Sequence, residues 1–158
     1  MIKHEPVPSR VNFVADLAAS WTRLRQTQAQ DRRVAIVVAN YPNKDGRLGN
    51  GVGLDTPAGV GAAFQRMAAA GYDLGPGAPT TSKAVMDHLL AGPTNAAGER
   101  SGGEAFSITA YLDFYQRLPQ SVQDDITERW GAPESDPFYQ PGEVDCGRFA
   151  IPAFRLGN

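Results

Sequence analysis

The stretch Val34-Ala35-Ile36-Val37-Val38-Ala39, followed at once by Asn40-Tyr41-Pro42-Asn43-Lys44-Asp45-Gly46-Arg47-Leu48-Gly49-Asn50-Gly51-Val52-Gly53, decides how the chain reads. An unbroken, largely β-branched run of this kind has the composition of a strand rather than of an amphipathic helix. Because it lacks polar alternation it suits a strand covered on both faces, so the expectation is a buried strand over 34–39 in a parallel sheet. The residues after it are turn-forming, with Asp-Gly and Asn-Gly steps, and make a loop longer than the usual strand-to-helix connection. Long ordered loops in such positions tend to bind something.

Upstream, Val11, Val14, Leu17, Ala18, Trp21 and Leu24 recur at helical spacing, with Ser9 placed to cap the helix. Downstream, Thr56 is expected to cap a helix with Pro57 at its first position, an apolar face of Val60, Phe64, Met67 and Ala68, and a stop at Gly71. Tyr72-Asp73-Leu74 has the composition of a short strand. A second helix carries Val85, Met86, Leu89 and Leu90 and ends at Gly92. Ser107 can cap a third, with Tyr111, Leu112, Phe114, Tyr115 and Leu118. Pro119 interrupts it and starts a fourth, in which Val122, Ile126 and Trp130 share one face before Gly131. The tail over 149–156 has strand composition, and Pro152 argues for an edge or a bulge there.

The predicted fold class is therefore α/β: a partial parallel sheet flanked by helices, a helical pair near 107–130 and a C-terminal strand. The whole of 1–158 reads as one α/β unit. Its parts are an N-terminal helix (1–30), a strand-loop-helix unit (31–92), a mobile linker (93–106), the helical pair (107–131), and a loop with the terminal strand (132–158). The final Leu156-Gly157-Asn158 has no closing turn or cap, which reads as a stretch of a larger protein.

Composition narrows the function classes. With 42% hydrophobic residues the chain has enough apolar material for one core, and its formal charge of −2 gives no basic stripe for nucleic acid. No apolar run reaches the roughly 18 residues that a membrane span needs, and 1–9 lacks the apolar centre of a secretory signal, so the expectation is a cytoplasmic chain without a membrane partner. The single cysteine, Cys146, cannot form an internal disulfide. The glycines at 46, 49, 51 and 53 match neither phosphate-binding spacing, and His4, His88 and Cys146 show no metal-ligand spacing. No Ser or Cys sits in a nucleophile motif. That leaves Asp45, Arg47 and Asp55, which either brace the loop backbone or face a ligand bearing carboxylates or amides.

The segments Asn40 to Asn50 and Gly53-Leu54-Asp55-Thr56-Pro57-Ala58 resemble the large subunit of aerobic cobaltochelatase, whose superfamily includes the large subunit of magnesium chelatase. Further resemblance lies in Ala70-Gly71-Tyr72-Asp73, in 111–118, in Glu128-Arg129-Trp130-Gly131 and in Ile151-Pro152-Ala153-Phe154-Arg155-Leu156-Gly157-Asn158. The resemblance implies a tetrapyrrole-binding region of an ATP-dependent ligase that inserts Co²⁺, as substrate, into the corrinoid precursor hydrogenobyrinic acid a,c-diamide in cobalamin biosynthesis. It also implies AAA+ partner subunits that hydrolyse ATP, no cofactor or metal held by this stretch, dependence on the rest of a longer polypeptide, and no activity of the stretch alone. Carried onto these positions, it makes Glu128 the candidate catalytic carboxylate. Asn40, Tyr41, Asp45, Arg47, Asn50, Asp55 and Thr56 become candidate ring contacts. The alternatives are a homologue of the magnesium chelatase large subunit and a non-catalytic α/β module whose loop binds a ligand or protein.

Overall fold

Helix α1 (Pro8–Gln26) begins at its proline, with Val7 as N-cap, so Ser9 lies within the helix and caps nothing. None of its residues is buried: Val11, Val14 and Trp21 are 51%, 61% and 65% exposed, so the apolar stripe stays open to solvent. The structure, a computed structural model, describes residues 4–41, 45–95, 100, 102–142 and 147–157, so Cys146 and loop positions 42–44 lie outside it.

The core lies between α2 (Thr56–Ala69) and α3 (Ser82–Ala91). Val60 and Phe64 from α2 meet Val85 from α3, and Val38, Met67, Leu74, Leu89, Phe154 and Leu156 pack around them, partly buried. Fully burying a side chain such as Val85 or Phe64 contributes roughly 1.5–3 kcal/mol. At buried Gly61 the helix comes so close to the turn before α3 that a Cβ would stand 2.8 Å from the Thr80 carbonyl oxygen. Thr81 then caps α3, its hydroxyl accepting the Ala84 N–H at 3.2 Å.

The expected parallel strand over 34–39 does not form. Those residues have no regular secondary structure, and Val34, Ile36 and Val37 are 54%, 42% and 92% exposed. The composition favours extended backbone, but a ladder needs partner strands, and 34–38 makes no backbone–backbone hydrogen bond among the described residues. Tyr72-Asp73-Leu74 is likewise outside any strand.

The sheet is built elsewhere, from β1 (Glu104–Ser107), β2 (Tyr139–Gln140) and β3 (Arg148–Ile151). It is antiparallel, in the order β1-β3-β2, which corrects the parallel expectation while keeping a mixed helix-and-sheet class. Phe149 faces Phe106 on one side and Tyr139 on the other. The terminal strand stops at Ile151, so Pro152 falls just beyond the central strand and not at a sheet edge. β1 occupies the end of the stretch read as a linker over 93–106, whose Pro93 and Thr94 are buried.

Helices α4 (Ile108–Tyr115) and α5 (Gln120–Trp130) form the expected helical pair. The Ser107 hydroxyl caps α4 by accepting the Ala110 N–H. The Tyr115 hydroxyl donates to the Gln123 carbonyl at 2.9 Å and lies 2.6 Å from Thr127 Oγ1, tying the helices together. Aromatic contacts join the pair to the sheet: Tyr111 stacks on Tyr115 and meets Phe149 edge-on, and Phe149 meets Tyr139 edge-on.

Burial pushes the Tyr111 phenol above its ordinary 10.0, and the charges of Tyr115 and Asp136 push it the same way. The fold thus favours the neutral phenol, so its contribution to stability is intact below about pH 10 and is lost as pH rises through the raised value. Tyr111→Phe should flatten the alkaline loss of stability and remove the highest-pH component of the phenolate absorbance titration. An unchanged titration in the folded variant contradicts this placement.

Candidate functional site

The loop between residue 39 and α2 is held by its own backbone. Gly49 N–H donates to the Ala39 carbonyl at 2.9 Å, and Asn40 bridges to Leu48. A 3-10 turn covers Asp45–Arg47, Asn50 N–H donates to the Arg47 carbonyl, and Gly51 bridges to Leu54. Gly49 is buried at φ 67°, and a Cβ there would touch Pro57 and the Met86 sulfur, so the loop rests over the start of α2 and the flank of α3.

The candidate residues are distributed as follows. Asp55, not Thr56, is the N-cap of α2: its carboxylate accepts the Ala58 N–H at 3.0 Å, and Thr56 is the first helical residue. A carboxylate is the stronger acceptor at this position, and its charge suits the positive end of the helix. The Thr56 hydroxyl lies against Gly51, where a Cβ would stand 2.7 Å from it. Asn40 donates from Nδ2 to Asn95 Oδ1 at 2.7 Å, so the start of the loop is pinned to the connector after α3. Asn50 is half-buried, whereas Tyr41 is 79% exposed and Arg47 is exposed, its guanidinium making no hydrogen bond or ion pair among the described residues. For Asp45 only the backbone is described. Glu128 lies exposed on α5, and no hydrogen bond or ion pair joins it to the loop among the described residues.

The fold thus gathers Asn40, Arg47, Asn50, Asp55 and Thr56 into one braced loop and leaves Glu128 on the helical pair. Among the described residues no hydrogen bond or ion pair joins Arg47 to Asp55, whose carboxylate accepts from the helix instead. Sequence reasoning missed Asn95, and it missed Thr94, a buried residue whose hydroxyl accepts from Arg100 at 2.7 Å. The Pro93-Thr94-Asn95 step after a helix end was the only local signal for them.

A cavity of about 730 Å³ opens beside the core. Residues 32–38 form one wall and 152–156 the other, with Val60, Phe64 and Val85 as floor. Arg32 fixes one end by donating to the Thr27 carbonyl at 3.0 Å and to the Tyr72 hydroxyl at 3.2 Å. The His88 ring packs against Phe154 of the second wall, with ring centroids 5.1 Å apart. Among the described residues no group of three or more His, Cys, Asp or Glu side chains could hold a metal ion, and no helix is long and apolar enough to cross a membrane.

A protein-family model described as CobN/Magnesium Chelatase matches residues 1–158. The chain belongs to this family. It is 47% identical to the aerobic cobaltochelatase subunit CobN of a Sinorhizobium species over 159 residues, covering 100% of the chain and 12% of that relative. It is also 36% identical to a magnesium-chelatase subunit of Chlorobaculum parvum, covering 99% of the chain and 12% of the relative. A solved structure, the catalytic subunit of cobaltochelatase from Mycobacterium tuberculosis, superposes with a TM-score of 0.74 at 33% identity, covering 97% of the chain and 12% of that structure. The chain therefore spans about an eighth of the length of these family members.

The Asp55 cap yields a direct test. Asp55→Ala should lower stability by about 1 kcal/mol in urea melts, and Thr56→Ala by less. Equal losses in the two variants, or none for Asp55→Ala, contradict this cap.

Proposed function

We propose that the chain is part of the ring-binding subunit of a cobalt-inserting chelatase, with the braced loop 40–56 contacting the rim of the corrinoid precursor. The observation that supports this most is the 47% identity to a cobaltochelatase subunit over the full chain. The loop adds a chemical reason. It displays Tyr41, Val52 and Leu54, which are 79%, 98% and 75% exposed, beside the unengaged Arg47 guanidinium. Aromatic and aliphatic surface suits the face of a macrocycle, and a guanidinium suits its peripheral carboxylates and amides.

Metal insertion removes two protons from ring nitrogens, strips water from Co²⁺ and bends a flat ring, so it calls for a carboxylate or histidine in an enclosed site. On this reading Glu128 is the carboxylate, brought to the ring by parts of the large polypeptide beyond this chain. ATP is hydrolysed by AAA+ partner subunits. The magnesium branch is the second reading, supported by the 36% relative. The higher identity over a similar span, 159 residues against 162, favours cobalt.

In a complete subunit, Arg47→Ala should weaken binding of hydrogenobyrinic acid a,c-diamide about tenfold, as loss of one charge-assisted hydrogen bond does, without shifting the melting temperature. The ring's own absorbance change on titration gives the Kd. Unchanged affinity in that variant, or in Tyr41→Ala, removes the loop from the ring site. A folded complete subunit that leaves the ring spectrum untouched favours the non-catalytic module.

A further inference from the structure

The two walls of the 730 Å³ cavity share a feature that a pocket for a small molecule does not need. Over 34–38 neither N–H nor carbonyl makes a backbone–backbone bond among the described residues; pairing resumes only at Ala39, whose carbonyl accepts from Gly49. The facing wall behaves alike. After Ala153, which pairs with Glu104 and Ile151, residues 154–156 make no such bond among the described residues. Each wall is thus non-helical polypeptide with open hydrogen-bonding groups, and the first carries the β-branched residues Val34, Ile36 and Val37, all exposed.

The walls also have a definite sense. Arg32 is bonded to Tyr72, and Gly157 packs against Asp73 and Gly75, so the start of the first wall and the end of the second lie at the same end of the cavity. They run in opposite directions. A chain seated between them lies antiparallel to one and parallel to the other, the geometry of a mixed sheet. The floor of Val60, Phe64 and Val85 already has Val38, Phe154 and Leu156 leaning on it, as a helix layer under a sheet would.

We propose that this cavity is the seat of a β-strand, extended and apolar on its floor-facing side, supplied by another part of a chelatase large-subunit polypeptide. The occupant follows from two observations. Peptide groups that stay open at every residue along both walls are matched in spacing by another peptide backbone, whereas a tetrapyrrole covering the apolar floor could reach only a few of them with its peripheral amides and carboxylates and would leave the rest buried and unpaired at a cost of about 1–3 kcal/mol each. The second is length: the chain spans 12% of its family members, so such polypeptides carry ample chain to supply a strand. The proposal rests on family membership, not on ring binding by the loop.

Amide hydrogen exchange tests this. In a complete large subunit, the amides of 34–38 should exchange on the order of 100-fold more slowly than in the 158-residue chain alone, and more slowly than the loop amides at 52 and 53 of the same polypeptide. Protection of α2 and α3 in the short chain confirms that it is folded. Exchange at 34–38 as fast as at 52 and 53 in the complete subunit overturns the proposal, however the short chain behaves. Protection of the short chain that grows with its own concentration would replace the strand with a second copy. Protection produced only by hydrogenobyrinic acid a,c-diamide would replace it with the ring. None of these readouts depends on turnover, so failure of the chelatase reading and failure of the strand reading remain separable.

Discussion

The close approach of α2 to the turn before α3 is the constraint on which the rest depends. At Gly61 the helix backbone and the Thr80 peptide are separated by less than a methyl group requires, and Gln65 Nε2 donates to the same carbonyl at 3.1 Å. A glycine inside a helix costs about 1 kcal/mol relative to alanine, so its place here needs a packing reason. The reason is that the approach lets Val60 and Phe64 reach Val85 and close the small core.

The loop and the cavity to which function is assigned both stand on that helix pair. The loop 40–56 rests on Pro57 and Met86 and ends in the Asp55 cap, so it inherits its shape from α2 and α3. The cavity floor is the same core seen from its open side. The α4–α5 pair and the antiparallel sheet form a second cluster around Tyr111 and Phe149, joined to the first through β1 and the tail that carries Phe154. The exposed apolar residues of α1, of 34–37 and of α5 fit a chain whose family members are far longer, since contiguous exposed apolar surface marks contact with other protein.

What was legible in the sequence followed locality. The helices came from apolar spacing and from residues that act within one turn, such as Ser107 and Pro119, and their bounds depend on little else. The run at 34–39 announced strand composition correctly, but a strand is defined by partners, and those are not local. The converse holds for Glu104-Ala105-Phe106-Ser107, a short and partly polar segment that becomes a strand because β3 pairs with it. At the site, the turn residues marked the loop, yet the Asp55 cap was displaced by one residue onto Thr56, and the pairing of Asn95 was not legible because its partner Asn40 lies 55 positions away. Function rested on motif resemblance, which the family match upholds at the level of the family.

The measurement closest to the centre is the denaturant midpoint of Gly61→Ala. In an unconstrained helix this substitution stabilises by about 1 kcal/mol. Here a Cβ meets backbone at Thr80 that cannot swing aside, so a lower midpoint is predicted, together with faster exchange at the Gly49 amide above it. A raised midpoint with that amide unchanged would show that the helix pair is not locked at Gly61, and that the loop and the cavity floor draw their shape from something else.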